Sequence, residues 1–161
     1  MDHAAVIELL THDPVAQELL RSPIPARVAY VGTDGTPRAV PLVCHFDGRS
    51  LVLATPDRAP KVAAIQANPA VALTIDTEGH PPRALLVRGT ASVTFVDGVV
   101  PEFLEANRRR FPAEGFAAVE AELRRAFPRM ARIEVTPTWG KVLDEARGPD
   151  SHRPRPEAGR G

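Results

Sequence analysis

Cysteine and long apolar runs are scarce in this chain of 161 residues. The single cysteine, Cys44, cannot form an internal disulfide, which excludes a small secreted scaffold held together by disulfides. No apolar run reaches the ~18 residues that a membrane-spanning helix requires, and the start of the chain lacks the apolar core of a signal peptide. We therefore expect a cytoplasmic protein without membrane contact.

Net charge is also lacking, because 20 basic side chains balance 20 acidic ones. No overall field would draw such a protein to nucleic acid or to an anionic membrane. The five histidines do not have the spacing of metal ligands, so we expect no metal site. Glycine-rich nucleotide-binding loops and the Gly-x-Ser-x-Gly motif of many hydrolases are absent as well.

Hairpin signals dominate what is present. Asp34-Gly35 and Asp47-Gly48 are turn pairs between runs rich in β-branched residues. The pattern predicts six strands, over 27–31, 40–46, 50–55, 71–76, 84–96 and 132–136. One helix, capped by Asp57 and ended by Asn68-Pro69, interrupts the early strands. This order excludes a doubly wound parallel sheet and predicts a mainly β fold, a small antiparallel barrel with flanking helices.

Helical spacing appears near both ends of the chain. Two short helices are predicted between Asp2 and about Leu20, the second beginning at Asp13-Pro14. Apolar residues recur at helical spacing from Phe116 to Phe127, before the last strand. Residues 147–161 contain only one apolar residue, an alanine, which predicts a disordered tail after a single domain spanning 1–146.

An ordered set of short motifs resembles one known family. The set consists of Arg27-Val28-Ala29, Thr33-Asp34-Gly35, Pro37 to Pro41, His45 to Gly48, Thr55 with Lys61, and Asn68-Pro69-Ala70-Val71. It looks like the flavin split barrels that include pyridoxamine 5′-phosphate oxidases and deazaflavin-dependent reductases. The resemblance covers roughly 26–96. It implies a six-stranded antiparallel split β-barrel of the FMN-binding type, a homodimer, and an oxidoreductase that transfers hydride to a small conjugated or quinone-like acceptor.

The resemblance also implies where the cofactor phosphate binds. In that family the phosphate of FMN lies at the loop and helix start after the third strand, and Thr55, Arg58 and Lys61 are the matching positions here. A helix N-terminus with neighbouring cations and a hydroxyl suits an anion. The competing interpretation is that Arg58 and Lys61 are merely solvated on an exposed helix.

Residues 38–44 match the strand that runs beside the flavin ring in the family. The implied ring contacts come from Arg38, Val40, Pro41 and Leu42, mainly through backbone groups, and an ordinary barrel strand would serve equally well. Trp139, the only tryptophan, either reaches the flavin from the partner subunit or packs under a helix.

His45 is the one candidate for catalysis. It shares a strand face with Pro41 and Val43, and an ordinary histidine pKa near ~6.5 would suit a proton donor. A purely structural histidine is the alternative. Cys44 falls on the opposite, apolar face and is predicted to be a core residue rather than a nucleophile.

Two other functions share the same resemblance. Coenzyme F420 could replace FMN, with Arg83, Arg88 or the arginines of the tail providing a basic track for its polyglutamate chain. A module that binds flavin or haem without turnover is the second alternative. Trp139 is followed by Gly140-Lys141 rather than by the arginine-rich motif of true pyridoxamine phosphate oxidases, so the resemblance leaves the substrate open.

Overall fold

The structure, a computed structural model, describes residues 1–148 of the chain. Within that range the strands are β1 Ala26–Val31, β2 Pro37–Leu42, β3 Cys44–Phe46, β4 Leu51–Pro56, β5 Ala70–Asp76, β6 Arg83–Asp97 and β7 Arg129–Asp144. The α-helices are α1 His3–His12, α2 Pro14–Arg21, α3 Pro60–Ala67, α4 Pro101–Arg108 and α5 Phe116–Ala126. The predicted mainly β antiparallel fold with flanking helices is confirmed. None of the helices described is both long and apolar enough to cross a membrane.

The seven strands form one antiparallel sheet in the order β2-β1-β5-β6-β7-β4-β3. Its two edge strands, β2 and β3, are consecutive in the chain and are separated by Val43 alone. Because one residue spans at most ~3.6 Å, the two edges of the sheet must meet at this point. The sheet therefore curls around on itself as a barrel.

The predicted count of six strands is wrong, because the strand expected over 40–46 is divided at Val43. Before this residue the chain pairs with β1, and after it the chain pairs with β4. The guanidinium of Arg109 donates a hydrogen bond to the carbonyl of Cys44, directly after the division. Residue alternation continues unbroken through Val43, so the pattern gave no sign of the change of partner.

The last strand is much longer than the predicted 132–136, since β7 has 16 residues. Pro137 and Gly140 look like strand breakers but lie inside it. The register between β6 and β7 shifts at Gly89, which pairs with Pro137 while Arg88 pairs with Trp139. At this bulge one additional β7 residue, Thr138, has no pairing partner in β6. The irregular pairing tolerates Pro137, so the strand continues past it.

Apolar side chains from alternate strand positions fill the barrel, and α1 and α2 contribute to the same buried cluster. Val6, Leu10 and Leu19 of these helices are almost completely buried. Asp13 fixes the start of α2 by accepting hydrogen bonds from the backbone N–H of Val15 at 2.9 Å and of Ala16 at 3.1 Å. Burying the side chains of Val6, Leu10 and Leu19 stabilises the folded protein by about 1.5–3 kcal/mol each, relative to leaving them exposed.

A second cluster lies outside the barrel, where α4 and α5 pack on β4 and β7. Ala54, Val100, Leu104 and Met130 form its buried centre. At its margin the rings of Phe103 and Phe127 meet edge to face, with centroids 5.7 Å apart. The predicted helical stripe from Phe116 to Phe127 is confirmed, and it covers this side of the sheet.

The predicted tail, 147–161, lies outside the described residues from residue 149 onward. Arg147, near the end of the described part, pairs with Asp13 at 3.1 Å and with Asp144 at 3.0 Å. These ion pairs hold the end of β7 against the start of α2.

Substituting Gly89 by alanine tests the close approach of β6 and β7. A Cβ at this position would meet the Thr136 carbonyl oxygen at 2.4 Å and Val135 Cγ1 at 2.7 Å. We expect Gly89→Ala to lower the free energy of unfolding by about 1–3 kcal/mol, the scale of overpacking. Gly115→Ala is the matched control, because a Cβ there meets nothing within 4 Å. Equal urea midpoints for the two variants would contradict the pairing described.

Candidate functional site

The end of β4 and the start of α3 bring together two of the predicted phosphate-binding residues. Thr55 is only 3% exposed, and Lys61 lies in the first turn of α3. The ammonium of Lys61 donates to Thr55 Oγ1 over 3.2 Å. Lys61 is thus half-buried and held in place rather than freely solvated.

No ion pair among the described residues neutralises the positive charge at this corner. Arg58 is exposed in the turn before α3, and neither Arg58 nor Lys61 forms an ion pair within residues 1–148. The helix begins after Ala59 without a side-chain cap, so the predicted capping by Asp57 is wrong. An anion is the ligand that such a corner suits. We call Thr55, Arg58 and Lys61 the anion corner.

One edge of β2 is free next to the anion corner. Over 37–42, β2 pairs with β1 and has no second ladder among the described strands. Continuing the register of β3 with β4 would set Thr55 opposite Leu42. Backbone N–H and C=O groups alternate along a strand, so half of those in β2 point away from β1. The predicted positions Val40, Pro41 and Leu42 therefore lie along an unpaired edge that starts beside the anion corner.

Arg38 lies at the other end of β2, where its guanidinium already has hydrogen-bond partners. Its guanidinium pairs with Asp34 at 2.9 Å and also bonds the Thr36 hydroxyl. Hydrogen bonds from Thr36 and Arg38 hold the pKa of Asp34 well below its usual value. The structure therefore uses Arg38 to close the β1–β2 hairpin, and no contact joins it to the anion corner.

Trp139 lies well away along β7 from the anion corner of the same chain. Thr55 pairs with Ala131, and Trp139 is eight residues further along β7, a separation of up to about 26 Å at ~3.3 Å per residue. Its ring contacts the guanidinium of Arg88, whose central carbon is 4.2 Å from the ring centroid. The tryptophan thus packs against an arginine side chain and is partly exposed, and its role towards a flavin stays a prediction.

His45 points outward from β3, beside α4. It pairs with Val52, and its Nδ1 atom is buried without a hydrogen-bond partner in the described part of the chain. The Glu102 side chain of α4 is close enough for an electrostatic interaction with it. No contact joins His45 to Thr55 or Lys61, so its role as proton donor stays a prediction.

Cys44 is a core residue, in line with the sequence analysis. It is 5% exposed, and this burial raises the pKa of its thiol to about 12 despite the nearby Arg109. A thiol with such a pKa is not a nucleophile at neutral pH.

A polar network behind His45 has no counterpart in the sequence analysis. Arg132 donates to Glu102 at 2.8 Å and to Glu134 at 2.8 Å, and Ser50 donates to Glu134 at 3.0 Å. Burial alone would raise the pKa of Glu102, but hydrogen bonds from Arg132 and the backbone outweigh burial and lower it. The network ties α4 to β7 and to the turn before β4.

Arg109 is the second group that sequence reasoning missed. It is half-buried, and its guanidinium donates to the carbonyls of Ser22, at 3.3 Å, and of Cys44. Burial lowers the pKa of this arginine from its usual value. Within the run Arg108 to Arg110 nothing distinguishes it by sequence. It joins the end of α2 to the point where β2 and β3 divide.

Removing the Arg109 side chain should loosen this division. We expect Arg109→Ala to lower the free energy of unfolding by about 1–3 kcal/mol, because two carbonyls lose a charged donor. Arg110→Ala is the control, since Arg110 is the exposed neighbour and its side chain makes no hydrogen bond within 1–148. Urea unfolding measures both, and a loss of stability in Arg109→Ala no larger than in the control would contradict the role given to Arg109.

Comparison with known proteins adds sequence and fold evidence. The family model described as pyridoxamine 5′-phosphate oxidase matches residues 13–144. No curated protein sequence matches the chain. A solved structure named F420 reductase is 31% identical, covering 78% of this chain and 94% of that one with a TM-score of 0.60.

More distant structures share the fold alone. A protein of the pyridoxinephosphate oxidase family from Clostridium acetobutylicum is 17% identical over 89% of this chain and 91% of that one, with a TM-score of 0.56. The haem storage protein HutZ from Vibrio cholerae is 14% identical over 82% and 93% of the two chains, with a TM-score of 0.58.

Proposed function

The chain belongs to the pyridoxamine 5′-phosphate oxidase family, and from this premise we propose that it is a flavin-dependent oxidoreductase that binds FMN. Its acceptor is a small conjugated or quinone-like molecule. The observation that carries the proposal is the uncompensated anion corner beside a free strand edge. The anion corner suits a phosphate, and the free edge of β2 suits a flat ring with hydrogen-bonding groups at its rim.

The donors at the anion corner fit the phosphate of FMN. Lys61 and Arg58 supply positive charge, and the Thr55 hydroxyl is already within 3.2 Å of the lysine ammonium. Charge-assisted hydrogen bonds of this kind are about twice as strong as neutral ones. The corner offers no carboxylate bonded to either cation among the described residues, so a phosphate would not have to displace one.

The free edge of β2 fits the ring system. Its carbonyl oxygens provide acceptors, and the N–H groups of its non-proline residues provide donors, which suit the pyrimidine edge of a flavin. A bound flavin would supply reversible two-electron chemistry, and the protein would bind it, orient it and tune it through these hydrogen bonds. We assign His45 no part in the reaction, because no contact joins it to the free edge of β2.

Coenzyme F420 is the second candidate, because the 31% identical solved structure is named F420 reductase. The phosphate of either cofactor would suit the anion corner. A polyglutamate chain would need further cations, yet Arg83 is engaged by Glu18 at 2.7 Å and Arg88 by the ring of Trp139. The pairing of Arg83 with Glu18 counts against a polyglutamate track through that arginine and so favours FMN. The third interpretation, a module that binds haem or flavin without turnover, is supported by similarity of fold alone.

The outward face of the sheet supports a homodimer. Strand pairing aligns one row across five strands, and most of its members are small: Ala39, Ala29, Ala72, Arg88 and Trp139. All are exposed or half-buried in the single chain. Small side chains allow close approach of a second copy by a twofold axis. A dimer through this face would bring Trp139 of one protomer towards the other.

Lys61→Ala tests the phosphate assignment. We expect FMN binding to weaken by about 1.5–3 kcal/mol, the scale of a charged hydrogen bond, while riboflavin binding hardly changes. Titration calorimetry with both ligands gives the comparison. Arg125→Ala, which removes an exposed cation on α5, is the control for net charge. Equal losses for FMN and riboflavin would place the phosphate elsewhere.

Ala29→Arg tests the dimer face. A buried guanidinium without a partner at the interface should convert the dimer into a monomer, as measured by light scattering at micromolar concentration. Ala121→Arg makes the same change on the exposed side of α5 and should leave the dimer intact. A monomeric wild-type protein, or a dimeric Ala29→Arg protein, would rule this face out.

A further inference from the structure

An open depression of about 710 Å³ lies where β1 begins. Its lining combines apolar residues of the α2–β1 connection and β2 with charged residues of β1, β5 and the turn after β5: Pro23, Ile24, Pro25, Arg27, Pro41, Asp76 and Glu78. A smaller depression of about 220 Å³ adjoins it and shares Asp76. Together they have the size of a ligand-binding cleft.

Hydrogen bonds fix the two apolar walls. The Ser22 hydroxyl accepts from the backbone N–H of Ile24 at 3.3 Å and so shapes the wall formed by Pro23 to Pro25. Arg109 donates to the carbonyls of both Ser22 and Cys44, which links this wall to the division after β2, where Pro41 forms the other wall. These contacts form the depression within the single chain. Arg27 and Pro41 lie on the same sheet face as Ala29 and Ala39, two residues along each strand, so the proposed dimer would border the depression.

The charge of the larger depression is negative. Asp76 and Glu78 make no ion pair within residues 1–148, and Glu145 lines the adjoining depression. Only Arg27 opposes the two carboxylates, and it donates to the Pro25 carbonyl at 3.2 Å. Arg83, in the smaller depression, is engaged by Glu18. The larger depression thus carries two acidic side chains against one basic side chain, and this negative excess favours cationic ligands.

We propose that this depression is the acceptor site, and that Asp76 and Glu78 select a planar conjugated acceptor that carries a positive charge. The inference rests on the proposed function, since Pro41 belongs to β2, whose free edge is assigned to the flavin ring. Proline and isoleucine walls suit a flat apolar body, and the carboxylates meet its cationic end. An acceptor bearing a sulfonate, carboxylate or phosphate is disfavoured by the same charges.

Equilibrium dialysis of the full chain, with and without FMN, measures binding without turnover. The probes are methylene blue as the cation, menadione as the uncharged molecule and 1,4-naphthoquinone-2-sulfonate as the anion. The wild-type protein binds the cation most tightly. In the double variant Asp76→Asn, Glu78→Gln the cation binds about three- to tenfold more weakly, the range for one or two partly exposed ion pairs, and menadione is unaffected.

The matched control is Glu114→Gln with Glu122→Gln, which removes the same net charge from residues that do not line either depression. It should bind all three probes as the wild type does. Equal loss of cation binding in both double variants, or no preference for the cation in the wild type, overturns the inference.

Failure of the proposed function has a different signature. If the proposed function is wrong, titrations show no binding of FMN or F420. The dialysis comparison still decides whether the depression selects cations. Conversely, a protein that binds FMN and shows no charge preference loses only the acceptor assignment.

Discussion

The half-buried guanidinium of Arg109 joins the elements that border the candidate site, at the point where the sheet divides. Arg109 donates to the carbonyls of Ser22 and Cys44, so the chain leaves β1 and joins β4 at a fixed position, Val43. Because the pairing changes there, one edge of β2 has no ladder partner among the described strands. The free edge of β2 and the Pro41 wall of the depression depend on this division, and the anion corner lies beside it.

A free strand edge is normally a liability, since unpaired N–H and C=O groups invite another strand. The composition of β2 limits that risk, because Pro37 and Pro41 lack an N–H and are tolerated mainly at edges. The edge can thus remain open for a ligand. The anion corner adds charge that no ion pair within residues 1–148 compensates, so both features are available to a ligand.

Local signals in the sequence predicted local structure well. The Asp-Gly pairs became turns in which Gly35 and Gly48 have φ of 80° and 93°, and the stripe from Phe116 to Phe127 became a helix. The resemblance implied that Thr55 and Lys61 act together, and the structure joins them. The bonds of Arg109 could not be predicted, because they join residues 65 and 87 positions apart. The division at Val43 could not be predicted either, because the strand alternation continues through it. Alternation reports which face a residue occupies, not which strand it pairs with.

The central claim is that the anion corner and the free edge of β2 hold a redox cofactor of the flavin type. The visible absorption spectrum of the purified protein, recorded alone and during titration with FMN and with F420, tests it most directly. The account predicts the two visible bands of a bound flavin, with band shapes that differ from those of free FMN because hydrogen bonds from the strand edge perturb the ring. A single deazaflavin band that appears only with F420 would favour the second candidate. A protein that perturbs neither spectrum, or that shows a Soret band, would contradict the account.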